Sequence, residues 1–369
     1  MGAKMTTRGA RMLVGLLLAC VVASACSGDD DGPTPPPTAS TCMTKAPADQ
    51  LKALDANADG KLVVGVATPG PRDDGAYYQA LVECVDRLVK ANGGSSIVVD
   101  KIAPADAATQ IESLAKQDPD ILVVGASDIG KPLPDLAKKY SKIFWYCNCG
   151  AGQQANPDYA QSQDDGSEIN YTAGYATGLL LKDKKKNSAA FIGNTDANGF
   201  EVESFDAFNL GLQAVDPTYK ATYYGTGSFD DVQKATEAYN VAKGNGVGAV
   251  YPFLGGAHEA IVKLANKDKL ITMSAAKSDA CERKDVSYDM AVRFDAGDYL
   301  DTIFEEMLAG TYKEGSIRTF HVGKDPEPGA KICKPTSDQT KALDAAYSDV
   351  ASGKLDAKFF EIKKKAYKF

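Results

Sequence analysis

The sequence predicts an α/β protein built as two doubly wound parallel-sheet lobes joined by a hinge of several strands. Three observations carry this. Short apolar runs alternate with longer helical patterns through most of the 369 residues. The runs are continuously apolar, as in Leu62-Val-Val-Gly-Val66, Ile121-Leu-Val-Val-Gly125 and Ala249-Val-Tyr-Pro-Phe-Leu254, which suits strands covered by helices on both faces. Chain is also left over after two complete strand–helix sets, so it must recross between the lobes.

The first set of strand-like runs is 61–68, 96–102, 121–126 and 142–147, before a polar loop at 149–166. A second set follows at 188–193, 221–225, 248–254 and 270–275. Between them, apolar residues recur at helical spacing, for example Ala80, Leu81, Cys84, Val85 and Leu88. Later, 285–294 and 317–322 read as strands, with helices near 296–308 and 338–351. The expected lobes are 42–165 with about 287–325, and 166–286 with about 326–369.

The N-terminus carries Lys4, Arg8 and Arg11, an apolar stretch over 12–22, then Ala23-Ser24-Ala25-Cys26. That stretch is too short to cross the ~30 Å hydrocarbon core, and small residues before a Cys suit a lipoprotein signal peptidase. Residues 1–25 are therefore expected to be a signal peptide and Cys26 the lipidated residue; Cys20 is an alternative acceptor, buried within the apolar run. Residues 26–41, with Pro-Thr-Pro-Pro-Pro at 33–37, read as a tether. The expected product is exported and lipid-anchored, on the cell surface or in the periplasm.

Formal charge is −8; residues 1–25 hold three basic and no acidic residues, so their removal leaves −11. That balance argues against nucleic acid as a partner. Six further cysteines, Cys42, Cys84, Cys147, Cys149, Cys281 and Cys333, allow 15 pairings. Cys281 with Cys333 is favoured, since both lie in late polar stretches. Cys147-Asn148-Cys149 lacks the CxxC spacing, and the chain holds two His, which disfavours a metal site.

Enzyme motifs fail at residues their chemistry needs. Val124-Gly125-Ala126-Ser127-Asp128-Ile129 has Ile129 where a nucleophile elbow needs Gly. His258-Glu259 has Val262 where a zinc helix needs its second His. Asp55-Ala-Asn57-Ala-Asp59-Gly60 resembles half of a calcium loop, but Val66 occupies the place of the bidentate Glu, so a polar turn is the preferred reading. Adjacent Asp73 and Asp74 have no nucleophile, base or metal set beside them. No enzyme, cofactor or metal is therefore expected.

Ligands of open parallel sheets sit beyond the carboxyl ends of strands. The loops there offer Asp73, Asp74, Tyr77, Tyr78, Ser127, Asp128, Asn148, Asn194, Phe229, Phe253 and Lys277, a set suited to polar recognition with aromatic stacking.

A family resemblance runs through the same loops. Its pieces are Val64-Gly-Val-Ala-Thr-Pro-Gly-Pro, Asp74-Gly-Ala-Tyr-Tyr-Gln, Ala137-Lys-Lys-Tyr-Ser-Lys-Ile-Phe, Gly166-Ser-Glu-Ile-Asn-Tyr-Thr-Ala-Gly-Tyr-Ala-Thr-Gly and Phe205-Asp-Ala-Phe-Asn-Leu-Gly-Leu-Gln-Ala-Val-Asp-Pro. Gly225-Thr-Gly-Ser-Phe-Asp-Asp and Val250-Tyr-Pro-Phe-Leu-Gly-Gly continue it in order. In these pieces, over roughly 61–315, the chain resembles the basic membrane protein family of substrate-binding lipoproteins. The resemblance implies a type I periplasmic-binding fold, a purine-nucleoside-like ligand in the cleft, and delivery to an ABC permease by a monomer. It places Asp74 and Tyr77 in the first loop, Phe229 as a stacking ring, Gly256 as a close-approach position and Arg293 as a basic residue. Departures are Tyr78 where Asn is expected, and Ser274 and Ala276 in place of acids. A ligand sensor of the same fold, signalling to a membrane partner, is the rival reading.

Overall fold

The computed structural model describes residues 42, 44–149, 154–194 and 199–368. The expected signal segment, the tether and Cys26 lie outside the described residues.

The first lobe is laid down by β1 (Val63–Ala67), β2 (Ser95–Val99), β3 (Ile121–Val124), β4 (Phe144–Asn148) and β5 (Ala160–Asp164). Its helices are α1 (Ala48–Leu54), α2 (Tyr77–Ala91), α3 (Ala107–Ala115) and α4 (Leu133–Lys139). A late strand, β11 (Ile317–Phe320), completes a six-stranded sheet in the order β11-β5-β4-β3-β1-β2. Every pairing in it is parallel. The interior strands β1 and β3 are built largely from Val, Ile and Leu because residues on both faces are shielded from water.

The second lobe holds α5 (Gly166–Asp183), β6 (Ser188–Gly193), α6 (Gly199–Val215), β7 (Lys220–Gly225), α7 (Val232–Gly244), β8 (Ala249–Pro252), α8 (His258–Lys267) and β9 (Ile271–Thr272). The parallel order is β7-β6-β8-β9. Next come β10 (Met290–Arg293), α9 (Ala296–Leu308), β12 (Gly329–Ile332), α10 (Ser337–Ala351) and α11 (Asp356–Tyr367). β10 pairs antiparallel with β12 and is tied by the bridges Met273–Met290 and Ala276–Arg293 to the chain just after β9.

The sequence reading assigned 287–325 to the first lobe. The structure divides that stretch: α9 packs on α2 and β11 joins the first sheet, but β10 is hydrogen-bonded within the second. The chain thus crosses between lobes after β5, after β10 and after β11.

In the second lobe α5 and α6 touch at backbone distance. A Cβ on Gly174 would collide with the Phe208 carbonyl, and one on Gly211 with the Tyr171 carbonyl. Those glycines let two helices approach closely enough to bury Phe208 and Leu212 completely; each such side chain contributes about 1.5–3 kcal/mol by leaving water. One apolar cluster runs from Val66 and Leu81 in the first lobe to Phe191, Tyr251 and Met290 in the second. The described cysteines stand in three pairs, Cys42–Cys84, Cys147–Cys149 and Cys281–Cys333, with Cα atoms 5.1, 5.0 and 5.0 Å apart. The calcium-like loop is a polar turn: Asp55 accepts from the backbone of Asp59 and Gly60, and Asp59 from Lys61.

Candidate functional site

A cleft of about 500 Å³ opens where the carboxyl ends of both sheets face each other. The first lobe brings the β1–α2 loop, the ends of β3 and β4, and Asp164 at the end of β5. The second brings Phe200, the Phe229–Asp230 loop, Phe253–Gly255, Ala275, Ala276, Phe294 and Tyr367.

Asp74 is shaped by the helix it precedes. Its carboxylate accepts from Ala76 N at 2.9 Å, Gln79 N at 3.0 Å and Tyr78 N at 3.3 Å, satisfying donors that the first turn of α2 leaves open. Burial still raises its pKa against those bonds, and the charge of Asp230 across the cleft pushes the same way. The ring of Tyr78 lies where a side chain on Gly70 would collide with it, so Gly70 keeps the space this ring uses. Tyr77 meets Tyr78 edge-on at 5.5 Å.

The second lobe presents an aromatic wall. Phe253 stacks on Phe294 at 5.9 Å, Phe200 lies 6.2 Å from Phe253 and 6.4 Å from Phe294, and Tyr77 reaches Phe294 at 6.5 Å from the opposite lobe. Phe229 sits just before α7, whose first turn Asp231 caps through Gln233 N and Lys234 N. The Phe229 carbonyl accepts from Gly255 N and Ala257 N, and Asp230 Oδ1 from Gly256 N at 2.6 Å. Two cleft loops are thereby locked to each other, which gives the Phe229 ring a fixed mounting.

The floor is different. Both polar atoms of the Asn148 side chain are buried without a protein partner, as is Asp164 Oδ1. Burial pushes the Asp164 carboxyl up to about 7, opposed by the Tyr299 hydroxyl and assisted by the charges of Glu203 and Asp165. Buried polar groups are ordinarily paired, so a floor with several open groups suits a ligand that supplies the partners.

Beside the cleft, Asp165, Glu168 and His321 place donor atoms within 4.8 Å of one another. Those groups are already engaged. Lys363 Nζ lies 2.5 Å from Asp165 Oδ2, Val322 N donates to Glu168 Oε2 at 2.8 Å, and His321 Nδ1 stands 3.1 Å from Glu168 Oε1. The cluster joins α5, α11 and the chain after β11 into a latch at the crossing points.

Of the residues expected from sequence, Asp74, Tyr77, Tyr78, Ser127, Asn148, Phe229 and Phe253 line this cleft. Gly256, Ser274, Lys277 and Arg293 are not among its lining residues. Gly256 N donates to Asp230 Oδ1. The Ser274 hydroxyl bonds the Lys277 carbonyl and accepts from Val292 N, holding the strand ends together. Lys277 points to Glu83, 3.8 Å away. Arg293 turns inward, to the carbonyls of Gly329 and Pro326 and the Tyr347 hydroxyl.

Asp164, Phe200, Asp230, Phe294 and Tyr367 line the cleft but were not singled out in sequence. Asp230 stood next to Phe229 in the Gly-Ser-Phe-Asp-Asp loop and was legible there. Asp164 lies in a polar stretch with no strand signal, and Tyr367 arrives from a helix far along the chain.

Residues 61–325 match a family model, Bmp, described as an ABC transporter substrate-binding protein, PnrA-like. Among solved structures, a solute-binding protein of an ABC transporter system from Conexibacter woesei DSM 14684 is similar at 20% identity and TM-score 0.62, over 80% of this chain and 97% of that one. A second ABC solute-binding protein, from Aeropyrum pernix K1, is similar at 14% identity and TM-score 0.60, over 82% and 90%. A transcriptional activator of the comK gene from Bacillus halodurans has the same shape at 12% identity and TM-score 0.61, over 79% and 98%. At such identities these structures speak to the fold, which is the type I periplasmic-binding fold.

Proposed function

The chain belongs to the Bmp family of PnrA-like ABC transporter substrate-binding proteins, and from that premise we propose that it captures a small planar polar solute, nucleosides and nucleobases foremost, between its lobes. The family binds substrate and does not transform it, so the chain is a solute-binding protein and not an enzyme. The observation that carries the proposal is the pairing, in one cleft, of an aromatic wall with open polar groups on its floor. Flat rings suit the first, and ring or ribose donors the second.

In this reading the lobes close on the solute because it contacts both, which gives it higher affinity for the closed form. The loaded monomer then docks on an ABC permease. Export with a lipid on Cys26 would hold it at the membrane, with 26–41 as the tether; Cys26→Ser should release it from the membrane fraction.

The test is a thermal-shift screen of the mature chain against nucleosides, nucleobases, sugars and amino acids, with calorimetry on the hits. A ligand of micromolar affinity, about −8 kcal/mol, should raise the melting temperature clearly at millimolar concentration. The expected result is a shift with a planar solute that Phe229→Ala weakens by about tenfold or more. A shift with sugars or amino acids alone would overturn the planar-ligand reading and leave the receptor fold in place.

A further inference from the structure

We infer that the cleft selects a solute carrying a positively charged nitrogen on its planar or apolar frame. This rests on the solute-binding reading above and narrows its ligand class.

Four carboxylates line the cleft: Asp74, Asp128 and Asp164 from the first lobe and Asp230 from the second. Among the described residues that line it there is no Lys, Arg or His. Two lysines could have supplied a counter-charge and do not: Lys277 is turned to Glu83 at 3.8 Å, and Lys363 to Asp165 at 2.5 Å.

The unpaired atoms on the floor point the same way. Asp164 Oδ1 is buried without a partner, and so are the amide oxygen and nitrogen of Asn148. A buried carboxylate without a cation is costly, and the strongest relief is a charged donor. A neutral ligand could satisfy Asn148 but would bring no positive charge to the carboxylates that line the cleft.

Closure makes the requirement sharper. Asp74 already feels the charge of Asp230 from the other lobe, and the Tyr78 ring feels Asp74, Asp128 and Asp230 together. Drawing the lobes together brings these like charges closer, which opposes closure in the empty protein. A cation held between them reverses that sign, and so binds the closed form more tightly than the open one. The aromatic rings that line the cleft add attraction for the same charge.

The test uses matched pairs that differ by one methyl group and one positive charge: adenosine against 1-methyladenosine, and nicotinamide against 1-methylnicotinamide. Calorimetry on the mature chain at low salt should show the cation of at least one pair bound about tenfold or more tightly than its neutral partner. Asp230→Asn, on the exposed rim, should cut that preference to about threefold or less, since it removes the carboxylate that the second lobe sets against the three of the first. Asp164→Asn, checked for an intact melting transition, should do the same from the floor. Equal affinities within both pairs, or a preference untouched by either substitution, overturn the inference and leave the planar-solute reading standing. Failure of all four probes, beside a clear shift with neutral sugars, overturns both together.

Discussion

Asp164 and Asp165 follow one another at the end of β5, yet the second is fully engaged and the first is not. Their exposures, 5% and 7%, are nearly equal, so burial does not separate them; partners do. Asp165 caps α5 through Glu168 N and pairs with Lys363. Asp164 keeps an oxygen with no protein partner and faces the cleft. The protein satisfies the carboxylate that holds its lobes' connections in place and leaves an oxygen open on the one that lines the cleft. A difference of one residue in the chain marks the boundary between framework and cleft.

Three substitutions would break or sharpen this contrast. The largest effect belongs to Lys363→Met, which leaves the buried Asp165 charge unpaired. Stability should fall by about 2–4 kcal/mol in urea unfolding. If stability is unchanged, the latch does not hold the fold, and the contrast with Asp164 collapses.

Asp164→Asn comes next and should act in the opposite direction. A carboxyl whose folded pKa is near 7 binds its proton more tightly in the native state than in the unfolded chain, where it titrates near about 4. Native stability is therefore eroded as pH climbs through that window. Tyr299, Tyr77, Tyr146 and Tyr367 face the group with Glu203 and Asp165, and Glu203 is itself raised by burial. The comparison is accordingly between variant and parent: the variant should gain about 1–3 kcal/mol relative to the parent between pH 4.5 and pH 8. Parallel melting curves across that range would show that Asp164 is not strained in the empty cleft.

Arg293→Lys should have the smallest effect. Losing the planar fork that reaches Gly329, Pro326 and Tyr347 should cost about 1 kcal/mol of stability. Ligand affinity should move by less than about threefold; a larger loss would return Arg293 to the binding site.

How far the sequence could be read follows from the same contrast. Strands that are buried on both faces and built from apolar residues announced themselves, as β1, β3 and β8 did. Strand β5, Ala-Gln-Ser-Gln-Asp, is equally interior but polar, because it ends on the cleft floor; an apolar pattern cannot reveal it. β12 is short and begins with Gly329, and it too was missed. Among site residues, those immediately following apolar strands were legible, since the carboxyl-end rule gives position. What the rule does not give is direction. Lys277 and Arg293 stand at suitable positions but reach away to Glu83 and to Gly329. Phe294 and Tyr367 enter the cleft through the recrossing of the chain, which no local pattern encodes.

That recrossing also dictates an order of events. β11 pairs with β5 across 156 residues of sequence, as Gln163 and Thr319 show. Until the late strand arrives, the β5 edge of the first sheet has open backbone groups, a template for pairing with the wrong chain. The second lobe waits likewise for β12. Neither lobe is therefore an independent folding unit that a single cut could release. Assembly must close long loops before their contacts repay the lost entropy, so the chain should fold slowly and gain from being shielded while it is incomplete.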